Sequence, residues 1–125
     1  MTAGPEERTA PLAGRTVLVV EDQYLIADDL CTLVEELGGT VMGPVSGVEA
    51  ALDMLRSGRP DLAMLDVNLE GERVYKVCTA LQEEEIPFVF ITGYDASVIH
   101  PSFRAVPCLR KPIEEAALRR AIAQL

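Results

Sequence analysis

No apolar run in the sequence approaches the ~20 residues that a membrane-spanning helix needs, so membrane insertion is not expected. Basic residues are scarce: 11 Lys and Arg stand against 20 Asp and Glu, a net charge of −9. Nucleic-acid binding is dominated by cations that neutralise phosphates, so this balance argues against that class of partner. It suits a cytoplasmic protein that meets cations, metals or basic protein patches. Internal repeats, low-complexity tracts and linkers are lacking. Residues 1–14 have no apolar segment of a signal peptide and carry two acids, Glu6 and Glu7, so they read as a flexible leader to a domain spanning residues 15–125. The three cysteines, Cys31, Cys78 and Cys108, follow no metal-ligand spacing, and an odd count fits reduced thiols. Cys31 and Cys78 fall among helical apolar positions and read as core filling.

What is present is an alternation of short apolar runs with helical patterns, the signature of an α/β protein with a parallel sheet. At 125 residues there is room for one such domain and one core. Val17-Leu18-Val19-Val20 is continuous and apolar, as in a strand buried on both faces. Leu25, Ile26, Leu30, Leu33, Val34 and Leu37 then recur at helical spacing, and Gly38-Gly39 stops the helix. Residues 40–45 form a second strand, with Pro44 tolerable only at a sheet edge. Ser46 and Glu49 make a capping box for a second helix that Gly58 and Pro60 close. Residues 62–65 form a third strand that delivers Asp66 at its end. A third helix carries Val74, Val77, Cys78 and Leu81 toward the acids 83–85. Residues 88–91 form a fourth strand ending in Thr92-Gly93. Pro101 interrupts any helix after it, so the fourth helix is expected to be short or irregular. Cys108-Leu109 gives a brief fifth strand, and the last helix runs from Ile113, with Glu114 and Glu115 in its first turn and Arg119 and Arg120 in its last, as the helix dipole favours.

Ligands of an open parallel sheet bind beyond the carboxyl ends of its strands. Here those ends carry Glu21-Asp22, Asp66, Thr92 and Lys111. Three carboxylates meeting there would raise one another's pKa, and a hard divalent cation relieves the conflict. Mg²⁺ suits a site with few carboxylates and several waters. Lys111 and the Thr92 hydroxyl would then be free to hold an anion. A metal, an anion clamp and a carboxylate nucleophile are the parts that phosphoryl transfer requires.

With these residues in place, the chain resembles the receiver domains of two-component response regulators. The acid pair in Val19-Val20-Glu21-Asp22 looks like the family's metal-binding pair, and Leu65-Asp66-Val67-Asn68-Leu69 its phospho-acceptor segment. Thr92-Gly93 resembles its hydroxyl-bearing switch, and Leu109-Arg110-Lys111-Pro112 its lysine-proline motif. The resemblance implies a doubly wound, flavodoxin-like five-stranded parallel sheet of strand order 2-1-3-4-5 with helices on both faces. It implies that Asp66 accepts a phosphoryl group, that Asp22, Asp66 and the Asn68 carbonyl ligate Mg²⁺, and that Glu21 acts through metal-bound water. Lys111 would pair with phosphoryl oxygens, its bond to Pro112 being a candidate cis peptide. Thr92 would move toward the new group, with Gly93 leaving it space.

The resemblance further implies a signalling protein rather than an enzyme. It would take phosphate from a sensor histidine kinase or a histidine phosphotransfer protein, then switch protein–protein contacts or drain phosphate to another carrier. Met1 suggests a complete gene product, and nothing after Leu125 could bind DNA, so a single-domain regulator, monomeric or weakly dimeric, is expected. One departure from the pattern is Cys108, which stands where the family commonly has a Tyr or Phe that reports the switch. Phe88-Val89-Phe90-Ile91-Thr92-Gly93-Tyr94 resembles the Phe-Ala-Thr-Gly motif of a subgroup of stand-alone receivers, and Tyr94 or Phe103 is the candidate replacement aromatic. Two rival functions are a phosphorylation-independent adapter and a haloacid-dehalogenase-like phosphatase. The latter is disfavoured because the acid pair precedes the nucleophile and Asp66-Val67-Asn68 lacks a second carboxylate.

Overall fold

In a computed structural model, which describes residues 10–69, 71–93 and 99–125, the apolar runs form the inner strands of one parallel sheet. β1 (Thr16–Val20), β3 (Leu62–Asp66) and β6 (Phe88–Thr92) lie side by side, flanked by β2 (Thr40–Val45) and β7 (Cys108–Arg110) in the order β2-β1-β3-β6-β7. That is the expected 2-1-3-4-5 order. The numbering differs only because two short strands, β4 (Asn68–Leu69) and β5 (Glu72–Arg73), form an antiparallel hairpin after Asp66 that the sequence pattern did not reveal. Gly71 turns that hairpin with φ +83°, a region few side chains tolerate.

All five residues of β3 and of β6 are buried, so each strand presents apolar side chains to two layers. Leu18 and Val20 of β1 face one core, with α2 (Val48–Ser57) and α3 (Tyr75–Glu83) over it. Val17 and Val19 face the other, covered by α1 (Tyr24–Glu36) and α4 (Glu115–Ala123). The period of two along the strand thus divides one sequence between two cores. Four helices are present among the described residues. Between β6 and β7 the described residues include a single 3₁₀ turn, Pro101–Phe103; most of the stretch before Pro101 where the short fourth helix was expected lies outside the described residues.

Several local expectations are corrected. Leu25 is 75% exposed, not on the apolar face. At ~100° per residue it lies about 200° around the helix from buried Ala27, whereas Leu30 and Val34 continue the Ala27 stripe. Gly47, not Ser46, occupies the N-cap of α2, and no side chain caps that helix. Val74 is the N-cap of α3 rather than part of it, and α4 begins at Glu115, with Glu114 as its N-cap. Residues 10–14, read as leader, pack against the domain: Leu12 is fully buried against the α1 side of the sheet, and its N–H donates to Leu37 O at 2.9 Å. Cys78 is buried among the α3-side apolar residues, which pushes its thiol up to about 12. Cys31 only half fills its side of the core; partial burial, then Glu35 and Asp28, raise its pKa.

Candidate functional site

β1, β3, β6 and β7 run parallel, so their carboxyl ends open on one edge. β3 ends on Asp66 and β6 on Thr92, both buried. Glu21 and Asp22 follow β1, and Lys111 follows β7. The spacing read from sequence is realised: one carboxylate oxygen each from Glu21, Asp22 and Asp66 lie within 4.8 Å of one another. Gly93 lies just past β6, exposed, and a Cβ there would meet no atom within 4 Å among the described residues, its chain neighbours aside. Tyr94 lies outside the described residues.

Lys111 holds this arrangement together. Its Nζ donates to Asp66 Oδ2 at 2.9 Å and to Gln23 Oε1 at 3.2 Å. It also forms an ion pair with Glu21 Oε1 at 2.8 Å, and among the described residues that buried oxygen has no hydrogen-bond partner. The ammonium therefore lies among the acids rather than apart from them, because two buried carboxylates attract the nearest cation. Burial alone would lower the Lys111 pKa; the close contacts with Glu21 and Asp66 and their charges outweigh it and raise it. Burial likewise dominates at Glu21 and pushes it up to about 7, with Lys111 and the Gln23 N–H pulling it down and Asp66 adding a smaller rise. At Glu21 the mutual repulsion expected from the sequence contributes less than the loss of water.

Backbone groups fix the acceptors. Gln23 N–H donates to Glu21 Oε2 at 3.0 Å, and Asn68 N–H donates to Asp66 Oδ1 at 3.2 Å. Lys111 N–H donates to Thr92 O at 2.9 Å, tying the lysine loop to the end of β6. The Lys111-Pro112 bond is cis, as anticipated. The donor set fits Mg²⁺: three carboxylates of compact spacing, with one buried Glu21 oxygen that no hydrogen bond satisfies, are hard oxygen ligands of the kind that ion takes.

Two residues escaped the sequence reading. Gln23 bonds to Lys111 across 88 positions, and its only local signal is that glutamine is a poor N-cap residue yet occupies the N-cap of α1. Tyr75 on α3 stacks on Phe103 with ring centroids 5.1 Å apart and meets Phe90 edge-on at 6.5 Å. Its hydroxyl accepts the His100 N–H at 2.8 Å. Cys108, half-buried, packs at the rim of the same apolar cluster and pairs with Phe90 in the sheet register. Among the described residues, aromatic packing on this face comes from Tyr75, Phe88, Phe90 and Phe103.

The description "response regulator receiver domain" matches residues 17–123 of this chain. Sensory transduction protein LytT of Bacillus subtilis (strain 168) is 29% identical over 110 residues, which are 85% of this chain and 46% of that protein. This chain spans less than half the length of the curated relatives it matches. The solution structure of SdrG from Sphingomonas melonis Fr1 is similar with a TM-score of 0.81 at 39% identity, over 90% of this chain and 95% of that one. The BeF3-activated conformation of SdrG from Pseudomonas melonis Fr1 is similar with a TM-score of 0.77, also at 39% identity, over 89% of this chain and 95% of that one.

Proposed function

This chain belongs to the response regulator receiver domain family, and from that premise we propose that it is a single-domain regulator phosphorylated on Asp66. The donor is a phosphohistidine on a sensor kinase or histidine phosphotransfer protein. The observation that carries the reading is the Lys111 ammonium 2.9 Å from Asp66 Oδ2, at an edge shared with Glu21 and Asp22.

A carboxylate oxygen of Asp66 attacks phosphorus; the new O–P bond forms as the P–N bond to the donor imidazole breaks, and the imidazole leaves with its electron pair. Lys111, already against Asp66, pairs with the phosphoryl oxygens. Thr92, buried at the end of β6, turns its hydroxyl to the product, and the open space at Gly93 admits it. Asp22, Asp66 and the Asn68 carbonyl would hold Mg²⁺, with Glu21 beside them, and the ion would offset charge on the transferred group.

Readout passes through protein contacts or through onward transfer of phosphate, as suits a signalling protein rather than an enzyme. Cys108 carries no ring to swing, so Phe103, stacked on Tyr75, takes that part in this reading. The likeness to SdrG over 95% of that chain supports the single-domain type, and its BeF3-activated conformation supports a switch driven by a phosphoryl mimic. The test is Mg²⁺-dependent binding of beryllofluoride, followed by amide chemical shifts around residues 66, 92 and 111. Shifts at these residues are expected; an unchanged spectrum would instead indicate a phosphorylation-independent adapter.

A further inference from the structure

Of the side chains that meet Lys111 Nζ among the described residues, Gln23 is the one whose charge does not change when the site is loaded. It sits at the N-cap of α1, where a Ser, Thr, Asp or Asn side chain would accept from the first free N–H groups. The Gln23 side chain makes no such cap bond. Its amide oxygen instead accepts from Lys111 Nζ at 3.2 Å, across 88 positions of sequence. The residue is held for that task, because its own N–H donates to buried Glu21 Oε2 at 3.0 Å.

An ammonium has three donors. Lys111 donates to Asp66 Oδ2 and Gln23 Oε1 and lies 2.8 Å from Glu21 Oε1 as an ion pair. The two carboxylates are also the groups that a divalent cation would take, and Asp66 is the one that would be esterified. Either event weakens their hold on Lys111. The neutral amide of Gln23 is left unaltered by both.

We propose that Gln23 is a positioning residue that keeps the Lys111 ammonium at the mouth of the site when the carboxylates give it up, so that it meets the incoming phosphoryl oxygens already aimed. The inference rests on the phospho-acceptor reading of Asp66. It assigns to the residue after the acid pair a role in anion capture rather than in metal binding.

The experiment compares the intact wild-type chain with Gln23→Met, which keeps side-chain length without the acceptor, and with Gln23→Ala. Both keep the backbone N–H that Glu21 accepts and lose no cap bond, so both should fold. Three quantities are read: Mg²⁺ affinity alone, beryllofluoride affinity at saturating Mg²⁺, and the ¹H–¹⁵N signal of the Lys111 ammonium. Both variants should bind beryllofluoride about tenfold more weakly, the scale of one hydrogen bond to a charged group. Mg²⁺ affinity should hold within a factor of about two, because the amide is not a ligand. The Lys111 signal should broaden in the variants.

Wild-type beryllofluoride affinity in both variants, with an unchanged Lys111 signal, would overturn the inference and leave the phospho-acceptor reading standing. Equal losses of Mg²⁺ and beryllofluoride would also overturn it, since they would report a disturbed acid cluster. Failure of the wild type to bind beryllofluoride at all would overturn the phospho-acceptor reading itself, and this inference with it.

Discussion

Replacing Glu21 by Gln should stabilise the metal-free protein at pH 8 and leave it almost unchanged at pH 5. The Glu21 side chain is fully buried, and burial pushes its pKa from the ordinary 4.5 up to about 7. Between those values the folded protein keeps a proton that the unfolded chain releases. Stability therefore falls as pH rises through this window, and the penalty is complete above about 7. At about 1.4 kcal/mol per pH unit, the buried charge costs the fold about 3 kcal/mol. Glutamine removes that charge at similar shape but also takes an ion-pair partner from Lys111, which retains Asp66 and Gln23. The value of about 7 already includes the attraction of Lys111, so the expected net gain at pH 8 is at most about 3 kcal/mol. Urea unfolding in the presence of a chelator, at both pH values and for both proteins, measures it. A variant less stable than wild type at pH 8, or a difference that does not vary with pH, would refute the reasoning. Saturating Mg²⁺ should raise wild-type stability more than that of the variant, by mass action on the intact acid cluster.

Leu12→Ala should destabilise the protein by about 2–4 kcal/mol in the same unfolding assay, as for any fully buried leucine; a loss below about 0.5 kcal/mol would return residues 10–14 to the status of leader. Tyr75→Phe should cost about 1 kcal/mol and speed hydrogen exchange at the His100 amide, which loses its acceptor. Phe103→Ala should alter the spectral response to beryllofluoride while leaving its binding intact; an identical response would remove Phe103 from the readout.

The sheet was legible because its three inner strands are buried on both faces and so read as unbroken apolar runs. Residues 17–20, 62–66 and 88–92 all lie in strands, and α1 ends at Glu36 with Leu37 as C-cap, just before the expected stop at Gly38, whose φ of +92° few other residues adopt. The acid cluster was legible for a geometric reason: parallel strands place their last residues on one edge, so Glu21, Asp22 and Asp66 come together there, with Thr92 and Lys111 at the ends of neighbouring strands. What escaped were contacts that local pattern does not encode. The hairpin of Asn68–Leu69 and Glu72–Arg73 is too short to show a period of two. The Gln23–Lys111 bond and the Tyr75–Phe103 stack each join segments set side by side only by the finished fold. Ser46 misled because its spacing to Glu49 mimics a capping box, while Gly47 takes the N-cap. The ammonium among the acids was missed because the sequence shows the charges but not the depth at which they lie.

The central claim is that Asp66 is the residue phosphorylated, and it is tested most directly by labelling with radioactive acetyl phosphate or a phosphorylated kinase. In the presence of Mg²⁺ the wild type should take up about one phosphoryl group per chain and Asp66→Asn none. The wild-type label should be labile in alkali, as an acyl phosphate is. Undiminished labelling of Asp66→Asn would contradict the account.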